Sequence, residues 1–235
     1  MTETWKSRGR SWFLPLARWL AARGVTPDAL TVAGLAFSLL AALLFARGDF
    51  LSAAFVLALT GLCDMLDGDV ARLRGAATPF GAFLDSTLDR AGEGALFAGL
   101  AFYYFTRAEG GVVWFRNNEV GGRFGDPDGH TLAVLALSTL ILSFLVSYTR
   151  ARAEGLGLDC KVGIMERPER ILGLLAGALL GARFMPGVLG LLFLLTLVTV
   201  LQRVYHVRRL TRPLSAPHPR PIEPGPDPGP RSEPG

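Results

Sequence analysis

The sequence predicts an all-α membrane protein, a bundle of six transmembrane helices preceded by an amphipathic helix at the membrane interface. Half of the 235 residues are hydrophobic, only 19% are charged, and the mean hydropathy is +0.36, which is typical of polytopic membrane proteins. The apolar stretches are long enough, because about 20 helical residues cross a hydrocarbon core of about 30 Å. The predicted spans are 28–46, 51–71, 80–106, 131–154, 168–184 and 187–206.

The chain divides into three predicted parts: an N-terminal arm at 1–26, the six-helix domain at 27–210, and a tail at 211–235. Within the arm, residues 11–23 place aromatic and leucine side chains at helical spacing against Arg18 and Arg23, the pattern of an interfacial helix. The tail is rich in Pro and Gly with mixed charges, so it cannot bury a core and we expect disorder there.

The start of the first span carries a helix-start pattern. Thr26 can cap the helix, Pro27 suits its first turn, and Asp28 lies near the positive end of the helix dipole. We therefore predict that this helix begins at Pro27 or immediately after it.

Lys and Arg are unevenly divided between the two ends of the predicted bundle. The loops on one side hold Arg47, Arg107, Arg116, Arg123 and Arg183. Every other Lys and Arg, except Arg90 within a helix, falls in the N-terminal arm, the 72–79 turn, the 150–170 connection or the C-terminal segment. Cytoplasmic loops carry the excess of basic residues. The distribution predicts a multi-pass protein of the cell (inner) membrane with both termini cytoplasmic and the 107–129 loop outside.

Four aspartates interrupt the apolar stretches: Asp64, Asp67, Asp85 and Asp89. A charged carboxylate at membrane depth costs about 2.5–3.5 kcal/mol on insertion scales, so we expect them to face one another or a metal ion. Spacings of three and four residues place each pair on one face of its helix. Hard oxygen ligands favour Mg²⁺, Mn²⁺ or Ca²⁺ over zinc, and Mg²⁺ commonly accompanies a phosphate-bearing substrate.

The acidic segment, residues 64–89, reads DMLDGDVARLRGAATPFGAFLDSTLD. Its pattern, Asp-x2-Asp-Gly-x2-Ala-Arg-x8-Gly-x3-Asp-x3-Asp, fills every position of the signature of the CDP-alcohol phosphatidyltransferase family. The resemblance extends over about residues 12–210, through the predicted helices and the Gly24-Val25-Thr26-Pro27 entry. It implies an integral-membrane enzyme that moves a phosphatidyl group from CDP-diacylglycerol to a small polar alcohol and releases CMP. The active site is then expected at the cytoplasmic end of the bundle.

The resemblance also implies site roles. The four aspartates would hold divalent ions, Mg²⁺ or Mn²⁺ and usually two, with Asp89 also the general base. The positions expected to bind the CDP-lipid are Gly68, Ala71, Arg72, Thr78 and Gly81. Small residues admit a nucleotide or a neighbouring helix, so helix packing alone is an open alternative for them. Arg72 offers a planar fork to the diphosphate and Thr78 a hydroxyl.

Two further segments, 147–154 and 163–170, resemble the prokaryotic phosphatidylinositol phosphate synthases and their archaeal ether-lipid counterparts. In that branch the acceptor is inositol phosphate, and the resemblance implies that Arg150, Arg167 and Arg170 bind its phosphate. Basic residues at cytoplasmic helix ends are also expected from topology alone. Phosphatidylglycerophosphate synthesis, with glycerol 3-phosphate as acceptor, is the alternative within the family.

Two acidic residues fall outside the signature. We interpret Asp69 as a solvated neighbour of the site or a side chain supporting it, and Glu93 as a neighbour of Asp89 that influences it or pairs with Arg90. Two other classes of protein bury carboxylates in membranes: intramembrane prenyltransferases and cation transporters. The expected partners are the lipid bilayer and the two substrates, with no nucleic acid, and the chain is compatible with a homodimer.

Overall fold

The computed structural model describes residues 3–76, 78–108 and 128–211, with residues 3–12 described by their backbone alone. The expectations for the outward loop and the Pro-rich tail fall almost entirely outside the described residues. The described ranges form seven α-helices: α1 (Glu3–Ala22), α2 (Pro27–Arg47), α3 (Phe50–Leu73), α4 (Pro79–Ala108), α5 (Gly129–Glu154), α6 (Arg167–Leu180) and α7 (Met185–Leu210). The predicted all-α class is confirmed.

Local sequence determines where α2 begins and ends. Thr26 caps the helix, its side chain accepting a hydrogen bond from the Ala29 amide at 3.3 Å, and Pro27 and Asp28 occupy the first turn. Gly48 ends the helix in the left-handed conformation, with φ of 80°, which glycine adopts without steric cost. The predicted helix start is therefore confirmed.

Four helices, α2, α3, α5 and α7, are long and apolar enough to cross a membrane, which indicates a multi-pass membrane protein. The count of six spans is not confirmed. Although α4 has 30 residues, its charged side chains lower its hydropathy. Helix α6 has 14 residues, about 21 Å at 1.5 Å per residue, because Gly181 (φ 89°) ends it before the predicted limit of residue 184.

Small residues bring α4 and α2 into close contact. A Cβ on Gly99 would lie 2.3 Å from the Ala42 carbonyl oxygen, and one on Gly92 would lie 2.9 Å from the Ser38 side chain. Only glycine permits such an approach of two helix backbones. The contact fixes α4, which carries two of the four signature aspartates, against the first helix of the bundle.

The remaining helices complete the bundle around this pair. Helix α3 packs on α2, α5 on α4, α7 on α5, and α6 on both α3 and α7. Helix α1 lies against α3, where its fully buried Ala17 joins an apolar cluster with Leu66 and Val70. The neighbouring Phe13 and Trp19 are exposed, which fits a helix whose apolar side meets lipid.

Candidate active site

The acidic stripe of α3 lies close to that of α4. Asp64 and Asp67 of α3 interact electrostatically with Asp85 of α4. Asp67 is 9% exposed and accepts a hydrogen bond from the Thr31 hydroxyl of α2 at 3.2 Å. The spacing predicts the two helices that carry the aspartates, and the structure adds α2 as a third contributor to the acidic cluster.

The cluster closes around the first residue of α6. Arg167 Nη1 lies 2.7 Å from Asp64 Oδ2 and 2.9 Å from Asp89 Oδ2. The three side chains are between 15% and 27% exposed, so they lie near solvent without being open to it. Carboxylates from two different helices thus converge on a single cationic nitrogen.

This convergence is what a divalent ion would require of the two carboxylates. Hard oxygen donors from α3 and α4 suit Mg²⁺ or Mn²⁺, and a point between Asp64 and Asp89 already carries positive charge. Among residues 3–76, 78–108 and 128–211, however, no three His, Cys, Asp or Glu side chains gather closely enough to hold an ion. An ion bound by both carboxylates would take the place of the Arg167 nitrogen.

The positions expected to bind the CDP-lipid form a second group at the ends of α3 and α4. Arg72 is largely exposed and pairs with Asp69 at 2.5 Å. Asp69 is 4% exposed, so the interpretation of it as a solvated residue is wrong and its support of Arg72 is what the structure shows. A Cβ on Gly68 would lie 3.6 Å from the Arg72 guanidinium, and Ala71 is half-buried beside it.

Thr78 and Gly81 meet where α4 begins. The Gly81 amide donates a hydrogen bond to the Thr78 hydroxyl oxygen at 3.0 Å. A Cβ on Gly81 would lie 3.2 Å from that oxygen and 3.4 Å from a carboxylate oxygen of Asp28. The start of α2 therefore adjoins the start of α4, and the Thr78 hydroxyl remains able to donate.

The three arginines assigned to the acceptor phosphate lie in different environments. Arg150 is 40% exposed and pairs with Glu154 at 2.9 Å and with Glu166 at 3.7 Å. Arg167 is held by the aspartates described above. Arg170 is 1% exposed, donating to both carboxylate oxygens of Glu93 at 2.5 and 3.0 Å and to the Met165 carbonyl at 2.9 Å. With these contacts each of the three guanidinium nitrogens of Arg170 already donates to the protein, and the side chain is buried.

The partner of Glu93 differs from the one expected. Glu93 is 1% exposed and pairs with Arg170 of α6 rather than with Arg90, whose guanidinium donates to the Ser86 carbonyl. Breaking a buried ion pair by removing one partner strongly destabilises a protein. The pair thus fastens α6 to α4 one turn from Asp89.

One buried cation beside the site was missed from the sequence. Arg203 of α7 is 2% exposed and donates to the Val146 carbonyl, to the Val162 carbonyl at 2.8 Å and to Glu166 at 2.9 Å. Its helix carries buried Thr196 and Thr199 at helical spacing from it. That polar stripe inside an apolar helix was the available signal.

Comparisons with known proteins identify a family and its members. The sequence model for CDP-alcohol phosphatidyltransferase matches residues 24–202. The chain is 40% identical over 200 residues to the phosphatidylinositol phosphate synthase of Mycobacteroides abscessus, covering 83% of this chain and 82% of the relative. It is 38% identical over 184 residues to the archaetidylinositol phosphate synthase of Methanothermobacter thermautotrophicus, covering 77% and 82% respectively.

The solved structures that this chain resembles include those of a phosphatidylinositol phosphate synthase. The Mycobacterium tuberculosis phosphatidylinositol phosphate synthase with CDP-DAG bound aligns with a TM-score of 0.69 at 34% identity, covering 83% of this chain and 92% of the other. The same enzyme in complex with manganese and citrate aligns with a TM-score of 0.68 at 35% identity, covering 82% and 87%. The family match excludes the prenyltransferase and transporter alternatives and identifies an enzyme. The chain belongs to the CDP-alcohol phosphatidyltransferase family.

Proposed function

We propose that this chain transfers the phosphatidyl group of CDP-diacylglycerol to inositol phosphate and releases CMP. The observation that carries the proposal is the convergence of Asp64 and Asp89 on Arg167, which brings the signature carboxylates and a cation of the acceptor segment to one place. The names of the relatives support the acceptor, and the CDP-DAG complex of one of them supports the donor.

The reaction assigns a role to each group. Asp89 accepts the proton of the acceptor hydroxyl. The hydroxyl oxygen attacks the phosphorus that bears diacylglycerol, and the bond between that phosphorus and the CMP oxygen breaks. Arg72, oriented by Asp69, faces the diphosphate, with Gly68, Ala71, Thr78 and Gly81 along the nucleotide. Mg²⁺ or Mn²⁺, two ions held by the four aspartates, would neutralise the diphosphate and the departing CMP.

Acceptor phosphate binding falls to Arg150 and Arg167. Arg150 is exposed and shares Glu166 with the buried Arg203, so its position is supported from inside the bundle. Arg167 follows Glu166 directly in the chain. We assign Arg170 to the support of α6 through Glu93, because its side chain is buried and each of its three nitrogens donates to a protein group.

The remaining proposals concern the whole chain. We propose that α2 to α7 form the catalytic domain at 27–210, that all six enter the bilayer, and that α1 lies in the interface. Both termini and the active site face the cytoplasm of the cell membrane. The chain is further proposed to form a homodimer, as its exposed apolar helix faces permit.

An acceptor panel tests the proposal. Purified protein is incubated with CDP-diacylglycerol and Mg²⁺, and CMP release is followed with inositol phosphate, glycerol 3-phosphate or inositol. We expect the highest kcat/KM with inositol phosphate. A higher value with glycerol 3-phosphate would identify a phosphatidylglycerophosphate synthase instead.

The general-base role is tested by comparing donor binding with turnover in a variant of Asp89. Asp89→Asn is expected to retain CDP-diacylglycerol binding better than turnover, because an amide cannot accept the proton. Equal loss of donor binding and turnover would make Asp89 a metal ligand alone. Asp85→Asn is the matched control, since it removes a carboxylate one turn away on the same helix face.

A further inference from the structure

Arg167 and Arg170 lie one turn apart on α6 and differ in how many of their guanidinium nitrogens are bonded to the protein. Arg170 donates from Nε, Nη1 and Nη2, and all three bonds are buried. Arg167 approaches both of its carboxylates with Nη1, and its buried Nε has no hydrogen-bond partner among the described residues. Arg170 therefore fixes the helix, whereas the Arg167 guanidinium is retained mainly by Asp64 and Asp89.

The two oxygens that hold Arg167 belong to residues assigned to the divalent ions. A guanidinium and a divalent cation cannot share those oxygens at contact distance without strong repulsion. The cost of removing Arg167 from them is limited by its single shared nitrogen and its 19% exposed side chain. Because the Glu93–Arg170 pair holds α6 in place, the Arg167 side chain can move while its backbone stays.

We propose that Arg167 couples metal loading to acceptor binding. A divalent ion displaces the guanidinium from Asp64 and Asp89, and the freed group joins Arg150 in binding the acceptor phosphate. This inference rests on the proposed function and deepens it. Coupling between two binding events is reciprocal, so bound acceptor phosphate also strengthens metal binding by holding Arg167 away from the aspartates.

Metal titration without substrates tests the competition. Purified protein is titrated with Mn²⁺ at constant ionic strength, and free Mn²⁺ is measured by electron paramagnetic resonance. Arg167→Gln should bind Mn²⁺ at least about tenfold more tightly than wild type, because the variant lacks the charge-assisted contacts to Asp64 and Asp89 that compete with the ion. Lys161→Gln, which removes an exposed cation paired with Asp159, should change the affinity less than twofold. Unchanged or weaker binding in Arg167→Gln would overturn the proposal.

Arginine labelling of the wild-type protein gives a second measurement that requires no variant to fold. Phenylglyoxal is applied with and without saturating Mn²⁺, and modification is quantified by mass spectrometry. Mn²⁺ should raise the labelling rate of Arg167 severalfold and leave buried Arg170 protected. An equal or lower rate for Arg167 with Mn²⁺ contradicts the displacement. Neither assay contains donor or acceptor, so a different acceptor would refute the proposed function without altering these results.

Discussion

Single carboxylates of the acidic cluster carry the sharpest residue-scale expectation. Asp64→Asn, Asp67→Asn and Asp85→Asn should each abolish CMP release, because a neutral amide of the same size cannot balance a divalent ion. Each variant should keep the wild-type gel-filtration profile, and raised Mg²⁺ should restore activity only in part. Undiminished wild-type turnover in excess EDTA would contradict the metal site.

Arg150 offers a selective test of the acceptor phosphate. Arg150→Ala removes one charge-assisted contact, which costs about 1.5–3 kcal/mol, so the KM for inositol phosphate should rise about 10- to 150-fold. The KM for CDP-diacylglycerol should stay the same. Lys161→Ala serves as the control, since it removes a nearby positive charge outside the site. Equal increases in both KM values would argue against an acceptor-specific role.

The site aspartates of the signature could be predicted from the sequence, whereas the partner of the buried Glu93 outside the signature could not. The spacing of Asp64, Asp67, Asp85 and Asp89 determines which helix face each occupies, and the structure brings those faces together. The pairing of Glu93 with Arg170 joins residues 77 positions apart. Helical periodicity says nothing about which of two neighbouring helices a buried side chain will meet. Arg90, closer in the chain, was the expected partner for that reason.

At the scale of elements, the contact of α4 with α2 makes one glycine indispensable. Gly99→Ala places a methyl group against the Ala42 backbone oxygen, which no side-chain rotation relieves, so the helices must separate at a cost of about 1–3 kcal/mol or more. Gly190→Ala on α7, where a Cβ meets no atom within 4 Å, should instead stabilise by about 0.5–1 kcal/mol through helix propensity. Thermal unfolding in detergent measures both variants. Equal melting temperatures would refute the close contact.

Helix limits follow from the sequence where a capping residue or a glycine marks them. Thr26 and Gly48 mark both ends of α2. The predicted span 168–184 continued too far because apolar residues continue beyond Leu180, and periodicity gives Gly181 no special weight. The positive φ at Gly181, where α6 ends, is a property of the turn into α7.

At the scale of the whole molecule, the orientation in the membrane is open to a direct test. Single cysteines are introduced at Lys161, in the connection between α5 and α6, and at Ala108, at the end of α4; both positions are exposed. An impermeant thiol reagent on intact cells should label the cysteine at 108 but not that at 161, because basic loops remain in the cytoplasm. Labelling at 161 alone would show that the orientation in the membrane is the opposite of the predicted one. The buried Cys63 and Cys160 provide the unlabelled background.

Arg203 of α7 donates to the carbonyl of Val146 within α5 and to that of Val162 in the connection between α5 and α6. Every residue type has a carbonyl, so these two hydrogen bonds constrain the number of residues between positions 146 and 162 and leave the exposed side chains between them unconstrained. Related sequences should therefore vary in composition here and keep one length. An insertion after Gly157 would carry a carbonyl away from a buried guanidinium, which costs about 1–3 kcal/mol, and should lower the melting temperature more than any single substitution in the same stretch.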